Sequence, residues 1–299
     1  MSSLNVGPLA LSLQTFIVFA GVIVAWIVAA ILGRQRRVPA ADALFSLVLV
    51  SLVGARLLFV AKYWSSFASA PLSVIDIRDA GFDAWGAVFA AALWLVWRLR
   101  NDAPLRMPLL VAVASGAGLW AATTGVLTMA EQKGREMPSI ALRVPQHSGM
   151  QSPAMLALLN DTLGISQTQA RDPNNAVEID LRNVAEGSGT IVNIWATWCP
   201  PCRREMPVLE KAQNEHAGLR FVFVNQGEGE GRVRTFLQGE GLSLDHVYLD
   251  PHGRLSAAMG AHGLPTTLFY NAQGELVDVR MGELSSATLQ RSIKLIQSP

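Results

Sequence analysis

The sequence has 299 residues, enough for about two domains, and it is unusually apolar, with 51% hydrophobic residues, 16% charged residues and a mean hydropathy of +0.30. The net charge is +1, and the sequence shows no basic patch with interleaved aromatic residues, which argues against nucleic-acid binding. Two cysteines cannot build a disulfide scaffold. Their C-x-x-C spacing indicates redox use or half of a metal site.

The apolar residues are concentrated in the first half of the chain. We predict an α-helical membrane domain with four transmembrane helices over residues 1–130, a linker over 131–152 and an α/β domain over 153–299. A helix needs about 20 apolar residues to cross a bilayer, and the third apolar stretch is the shortest. The alternative for the first stretch, a cleaved signal peptide, would need basic residues before it, and none is present. The four stretches are 7–32, 43–61, 82–96 and 107–129.

Basic residues predict the orientation of these helices. Loops rich in Lys and Arg remain on the cytoplasmic side, and the first and third loops are the rich ones. Four spans then place both termini on the opposite side, so we predict a bacterial inner-membrane, multi-pass protein whose C-terminal domain faces the periplasm. The first loop holds Arg34, Arg36 and Arg37, the third holds Arg98, Arg100 and Arg106, and the second holds Lys62 and Arg78 among three aspartates.

Short segments of the first half resemble prolipoprotein diacylglyceryl transferase. They are 6–11, 53–60, 80–87 and 116–118, and together they extend over about residues 5–125. The resemblance implies a related membrane fold. It does not extend to the catalytic positions, because Trp85 stands where that family has the histidine of its H-G-G motif, Leu119 where it has an arginine and Ala122 where it has an asparagine.

Arg56 matches a G-x-R position of the same family. It could contact a lipid phosphate, which would make membrane lipids a partner of this domain. The alternative is an arginine that snorkels or is paired inside the helix bundle, and this is the favoured interpretation.

The second half alternates between strand and helix patterns. A parallel β-α-β start followed by a hairpin and a final helix predicts a thioredoxin fold. The predicted helices are 154–163, 201–215, 233–239, 254–259 and 285–297, the predicted strands are 177–181, 191–196, 219–225, 246–249, 267–270 and 275–280, and 167–175 is predicted as a loop.

Cys199 and Cys202 lie where a strand pattern gives way to a helix. A helix N-terminus lowers the pKa of a thiol and stabilises its thiolate, so Cys199 is predicted to attack a disulfide and Cys202, one turn later, to resolve it. As alternatives, a structural disulfide this close in sequence would stabilise little, and a zinc site would need two more ligands. We therefore predict no metal and no cofactor other than the Cys199–Cys202 disulfide.

Residues 193–207 and 263–267 resemble the TlpA/ResA group of membrane-anchored, thioredoxin-like thiol–disulfide oxidoreductases. The resemblance covers about residues 135–299. It implies that Glu205 matches a glutamate of that group and relays a proton for Cys202; the alternative is a solvated charge on the helix. Asn193 stands where thioredoxin itself has a buried aspartate.

The same resemblance implies a substrate-contact surface. Pro265 matches a loop proline that is cis and faces the cysteines, and Thr266 follows it. Trp198, just before the first cysteine, is expected to be exposed for substrate contact, whereas Trp195 is expected in the core. His262 is interpreted as an ordinary loop histidine.

We therefore predict a protein-disulfide reductase that acts on substrate proteins containing disulfides. The membrane half has no cysteine, so an external thiol donor in the membrane, of the DsbD/CcdA kind, is expected. Two alternatives remain open. One is a lipid-binding or lipoprotein-linked membrane module with an accessory redox domain, and the other is an oxidase that forms disulfides.

Overall fold

The computed structural model describes residues 3–6, 9–68, 71–77, 79–130, 136–146, 151–164, 177–185, 187–261 and 263–297. The chain divides into two units, Met1–Lys133 and Gly134–Pro299. Arg78, His262 and the loop predicted at 167–175 lie outside the described residues.

The first unit consists of helices that follow a short two-stranded ribbon. The prediction of a helix from residue 7 is wrong at its start, because β1 (Ser3–Val6) pairs with β2 (Leu9–Ser12) instead. Gly7 and Pro8 both disfavour a helix interior. The helices are α1 (Leu13–Arg36), α2 (Ala40–Lys62), α3 (Trp64–Phe67), α4 (Ala84–Asn101) and α5 (Arg106–Ala130), with 3-10 turns at Pro71–Val74 and Ala103–Leu105.

Three segments of the described chain are long and apolar enough to cross a membrane: Phe16–Arg36, Ala40–Lys62 and Ala103–Gly125. They correspond to the first, second and fourth predicted spans. The third predicted span forms α4, which has 18 residues, includes Arg98 and Arg100 in its last turn, and is not among the three. A fourth crossing therefore stays a prediction.

Glycines allow the helices of this unit to pack closely. A Cβ atom added to Gly116 of α5 would lie 2.7 Å from the carbonyl oxygen of Gly21 in α1, and one added to Gly54 of α2 would lie 2.3 Å from the Cβ of Ala90 in α4. Small residues at such contacts are typical of helices that associate in lipid. The closest helix packing is thus between α1 and α5 and between α2 and α4.

Arg56 of α2 organises the segment between α2 and α4. The side chain is buried, with 9% of its surface exposed, and a guanidinium has five N–H donors. All five have acceptors, so none remains for a lipid phosphate, which favours the paired arginine over the lipid contact. Nε donates to the carbonyl of Val74 (3.0 Å), Nη1 to Asp79 Oδ1 (3.1 Å) and the carbonyl of Gly81 (2.8 Å), and Nη2 to the carbonyls of Ser73 (3.1 Å) and Asp76 (2.6 Å).

We expect Arg56→Ala to destabilise the first unit by about 3–5 kcal/mol. Removing one member of a buried charge pair leaves the other charge buried without a counter-charge. Thermal unfolding of the full chain in detergent measures this loss. Lys62→Ala is the matched control, since Lys62 is half exposed and its 3.4 Å pair with Asp83 should contribute at most about 1 kcal/mol. Equal effects of the two substitutions would contradict the organising role of Arg56.

The second unit is built on a seven-stranded mixed sheet with the order β4-β3-β7-β6-β5-β8-β9. Neighbours β5, β6 and β7 are parallel, whereas β8 is antiparallel to β5 and forms the predicted hairpin with β9. The strands are β3 (Ala141–Arg143), β4 (Glu178–Asp180), β5 (Thr190–Trp195), β6 (Arg220–Gln226), β7 (His246–Asp250), β8 (Thr266–Tyr270) and β9 (Leu276–Met281).

Helices cover both faces of this sheet, and β5 is buried along its whole length. Alternate residues of β5 enter two different hydrophobic clusters: Ile191 and Trp195 lie in one, Val192 and Ile194 in the other. The thioredoxin-like α/β fold predicted for this half is confirmed. The helices are α6 (Pro153–Leu163), α7 (Leu181–Ala185), α8 (Pro200–Glu215), α9 (Glu230–Glu240), α10 (Arg254–Met259) and α11 (Ser286–Ile296).

Part of the predicted linker 131–152 belongs to this sheet, so that prediction is wrong in part. Strand β3 pairs with β4 over three residues and reaches β7 through Arg143 and Leu249. The buried side chains Leu142 and Val144 explain why, since they add to the cluster on one face of the sheet. The short helix α7 was not predicted either.

Candidate active site

The Cys pair lies where buried β5 ends and α8 begins. Cys199 is the N-cap residue of α8, and Pro200 and Pro201 occupy the first helical turn, where their missing N–H groups cost nothing. The backbone N–H of Cys202 donates to Cys199 Sγ over 3.3 Å, and the two residues form a disulfide with their Cα atoms 5.3 Å apart. An N–H aimed at Cys199 Sγ would stabilise a thiolate there after reduction.

The residues around the disulfide differ sharply in exposure. Cys199 is 3% exposed and Cys202 is fully buried, so Cys199 is the one residue of the pair with any accessible surface. The preceding Trp198 is 65% exposed, whereas Trp195 is buried in the core. The exposure of Trp198 and the burial of Trp195 both agree with the expectations from the sequence.

Glu205 lies one helical turn after Cys202 and is completely buried, so the alternative of a solvated helix charge is wrong. One carboxylate oxygen accepts from Asn193 Nδ2 (2.8 Å) and the other from the backbone N–H of Leu284 (2.9 Å). Burial raises the pKa of Glu205 to about 8, although both hydrogen bonds act to lower it. A buried carboxyl group that titrates near neutral pH is suited to exchanging a proton with a neighbouring thiol.

The loop before β8 lies at the same edge of the sheet as the Cys pair. Ile194 of β5 pairs with Thr266 of β8, and Leu264 packs against the cluster that contains both cysteines. The Leu264–Pro265 peptide bond is cis, as predicted. Thr266 is completely buried, backbone included, and its hydroxyl donates to the carbonyl of Gly263 (2.6 Å). Arg56 belongs to the first unit.

Glu228 is a residue of this site that we did not predict, because it lies in a Gly- and Glu-rich segment typical of an exposed loop. Its side chain is only 3% exposed. It accepts from the backbone N–H and the hydroxyl of Thr197, each over 2.6 Å, and from Asn225 Nδ2 over 2.9 Å, while Arg232 lies 3.8 Å away. Glu228 therefore anchors the turn two residues before Cys199. In the sequence, the signal for this role is Asn225, which lies near the end of an apolar strand and three residues before Glu228.

We expect Glu228→Ala to destabilise the protein, because the N–H of Thr197 and the amide of Asn225 lose their acceptor at a cost of about 1–3 kcal/mol each. Chemical unfolding followed by tryptophan fluorescence measures the loss. Thr197→Val removes only the hydroxyl bond and should cost less. A Glu228→Ala protein as stable as Glu215→Ala, which alters an exposed residue of α8, would contradict the anchoring role.

Two protein families match this chain. The model of prolipoprotein diacylglyceryl transferase matches residues 2–184, and the redoxin model matches residues 132–292. The shared stretch, 132–184, includes β3 and β4, which pair within the sheet of the second unit.

Individual relatives match the second unit. The thiol–disulfide oxidoreductase ResA of Halalkalibacterium halodurans is 37% identical over 121 residues, which are 40% of this chain and 68% of that protein. ResA of Bacillus subtilis is 31% identical over 129 residues, which are 42% of this chain and 70% of that protein. The crystal structure of StoA from Bacillus subtilis is 25% identical and covers 40% of this chain and 90% of its own, with a TM-score of 0.35. The chain therefore belongs to the redoxin family, as a ResA-like thiol–disulfide oxidoreductase, and through its first half to the prolipoprotein diacylglyceryl transferase family.

Proposed function

We propose that this protein is a membrane-anchored, periplasm-facing oxidoreductase that reduces disulfides in substrate proteins through its Cys-Pro-Pro-Cys dithiol. The Cys199 thiolate attacks one sulfur of the substrate disulfide, forms a mixed disulfide and releases the first substrate thiolate. The Cys202 thiolate then attacks Cys199 Sγ, releases the second substrate thiolate and closes the Cys199–Cys202 disulfide. Two electrons pass from the dithiol to the substrate.

The observation that carries this proposal is the disulfide at the start of α8 beside buried Glu205. Glu205 and Cys202 are three positions apart and share a helix face. In the resolving step the Glu205 carboxylate accepts the proton of the Cys202 thiol, and when the disulfide is reduced again the carboxyl group returns a proton to Cys202. A pKa near the working pH suits a group that acts in both directions.

The substrate chain is proposed to lie across Trp198 and the loop of Pro265 and Thr266. Trp198 offers a large exposed apolar face next to Cys199. Pro265 and Thr266 are both buried, and the Pro265 carbonyl accepts from the N–H of Gly282 (2.9 Å). Contact with this loop is therefore proposed to be made through Gly263 and Leu264, which are partly exposed. No metal or further cofactor is needed for this chemistry.

The periplasmic location rests on a fourth membrane crossing by α4. Helix α4 runs antiparallel to α2: Asp83 at its start donates its N–H to the carbonyl of Ala55 (3.1 Å), while Leu95 and Leu99 near its end pack with the cluster at the start of α2. Its 18 residues extend about 27 Å, close to the roughly 30 Å of the hydrocarbon core. Because α4 returns to the arginine-rich side, α5 crosses outward and the second unit follows on the periplasmic side.

The electrons must come from another protein, because Cys199 and Cys202 are the two cysteines of the whole sequence. A membrane thiol transporter of the DsbD/CcdA kind is the proposed donor.

Two measurements test this function. A membrane-impermeant thiol reagent should label the reduced Cys pair in intact spheroplasts and not in sealed inverted vesicles; labelling from the inverted side alone would contradict the orientation. The reduction potential of the pair should be well below the value of about −120 mV that characterises a strong oxidant. A value near that figure would instead support disulfide formation.

A second candidate, a lipid-binding or lipoprotein-linked module, is favoured by the transferase-family match over residues 2–184. Full engagement of the Arg56 donors argues against a phosphate at that side chain. If substitutions in the first unit altered lipid binding while Cys199→Ala left every redox phenotype intact, the lipid-binding function would be favoured over the oxidoreductase function.

A further inference from the structure

The segment 71–77 between α2 and α4 exposes large apolar side chains to an unusual degree. Leu72, Ile75 and Ile77 are 84%, 79% and 65% exposed, and the first two are the most exposed large hydrophobic side chains among the residues that the structure describes. Scattered apolar residues at a surface are ordinary, but three within six positions form a patch that marks an interaction site.

The backbone of the same segment turns its polar groups inward. The carbonyls of Ser73, Val74 and Asp76 accept from the guanidinium of Arg56. Within the segment, the N–H of Ile75 donates to the carbonyl of Leu72 and that of Asp76 to the carbonyl of Ser73, each over 3.2 Å. Irregular backbone is tolerated next to lipid only when its polar groups are satisfied inside the protein. The carbonyls of Leu72, Ser73, Val74 and Asp76 satisfy that condition, while the side chains of Leu72, Ile75 and Ile77 are exposed.

We propose that residues 71–77 form a lipid anchor that lies in the boundary between headgroups and acyl chains, with Leu72, Ile75 and Ile77 in contact with lipid. This inference rests on the proposed membrane topology, in which this end of α2 faces the periplasm. The occupant is the bilayer because the helices on either side of the segment also expose large apolar side chains: Leu57 on α2 is 62% exposed and Phe89 on α4 is 72% exposed.

Two exposed tryptophans flank the segment. Trp64 begins α3, just after α2 ends, and Trp85 lies in the first turn of α4, and they are 58% and 75% exposed. Tryptophan is enriched where a membrane meets water. The anchor therefore sits at the depth that these two rings indicate, and Arg56 holds it in a fixed shape.

The test uses the full chain, with Cys199→Ser and Cys202→Ser, in vesicles of phosphatidylethanolamine and phosphatidylglycerol. Leu72→Cys, Ile75→Cys and Ile77→Cys each carry an environment-sensitive fluorophore. The control positions are Leu57→Cys on α2, which should be in lipid, and Lys211→Cys on α8, whose side chain is 73% exposed and should be in water. All five positions are exposed, so the label does not disturb packing.

For the anchor, we expect blue-shifted emission, strong quenching by lipids with a nitroxide near the headgroup and weak quenching by aqueous iodide. Iodide quenching at all three anchor positions with lipid quenching at Leu57→Cys would overturn the anchor alone. Iodide quenching at Leu57→Cys as well would overturn the membrane topology. Protection from both quenchers at the anchor positions would mean that protein covers the patch, and would overturn the lipid contact.

Discussion

Replacing Cys202 with serine is expected to convert the protein into a trap for its substrates. Cys199 lies at the N-cap of α8 and has the only accessible surface of the pair, whereas Cys202 is fully buried. The variant therefore keeps the proposed attacking thiol and loses the resolving one. Mixed disulfides between Cys199 and substrate proteins should accumulate, and turnover should fall by several orders of magnitude. Non-reducing electrophoresis of cells that express the variant, followed by identification of the attached proteins, measures this outcome.

The control for the trap is Cys199→Ser, which should form no mixed disulfides although it retains a thiol. The double variant should be equally inert. If Cys199→Ser accumulated the complexes and Cys202→Ser did not, the two roles would be reversed and the proposed order of attack would be wrong.

Glu205→Gln is expected to slow thiol–disulfide exchange by about 10²-fold, at the lower end of what a positioned acid or base contributes. The wild-type rate should change with pH around the Glu205 pKa of about 8, and the variant should lose that dependence. Glu215→Gln, which alters an exposed residue of the same helix, should behave as wild type. Stopped-flow rates across pH 6–9 measure both effects, and an unchanged pH profile in Glu205→Gln would contradict the proton relay.

The same carboxyl group makes stability depend on pH. Its pKa is about 8 in the folded protein against 4.5 for the ordinary group, so between these values the folded protein holds a proton that the unfolded chain releases. This contribution to stability is complete below about pH 4.5 and is lost as the pH rises through 8, by an amount on the order of a few kcal/mol. The Glu205→Gln variant has no carboxyl group to ionise, so the unfolding midpoints of the two proteins should lie closest at low pH and separate as the pH rises through 8, with the wild type losing stability.

The chemistry of the site could be predicted from local sequence. A C-x-x-C pair after an apolar strand places a thiol at a helix N-terminus, and the exposed Trp198 and buried Trp195 follow from the same turn. What could not be predicted depends on distant partners. The role of Glu228 depends on Thr197, which is 31 residues earlier in the chain and donates to it in the fold, and the nearby Asn225 alone does not encode that contact.

The boundaries of the linker and of the third predicted span were predicted less well, for a related reason. Strand β3 is three residues long and lies in a stretch with Pro138 and Pro145, so it resembles a linker until β4 and β7 pair with it. The segment that forms α4 is shorter than a standard span, and its packing against α2 becomes visible only in the fold, for example where Gly54 approaches Ala90.

The glycine contacts of the first unit also constrain the order in which it can be assembled. Gly54 and Gly86 are close in sequence, so α2 and α4 can associate while later residues are still being synthesised. Gly21 and Gly116 approach each other closely in the fold but lie far apart in sequence. Helix α1 therefore cannot pack against α5 until α5 has been synthesised. A nascent chain that stops before Arg106 leaves the small-residue face of α1 without its partner, open to association with unrelated helices.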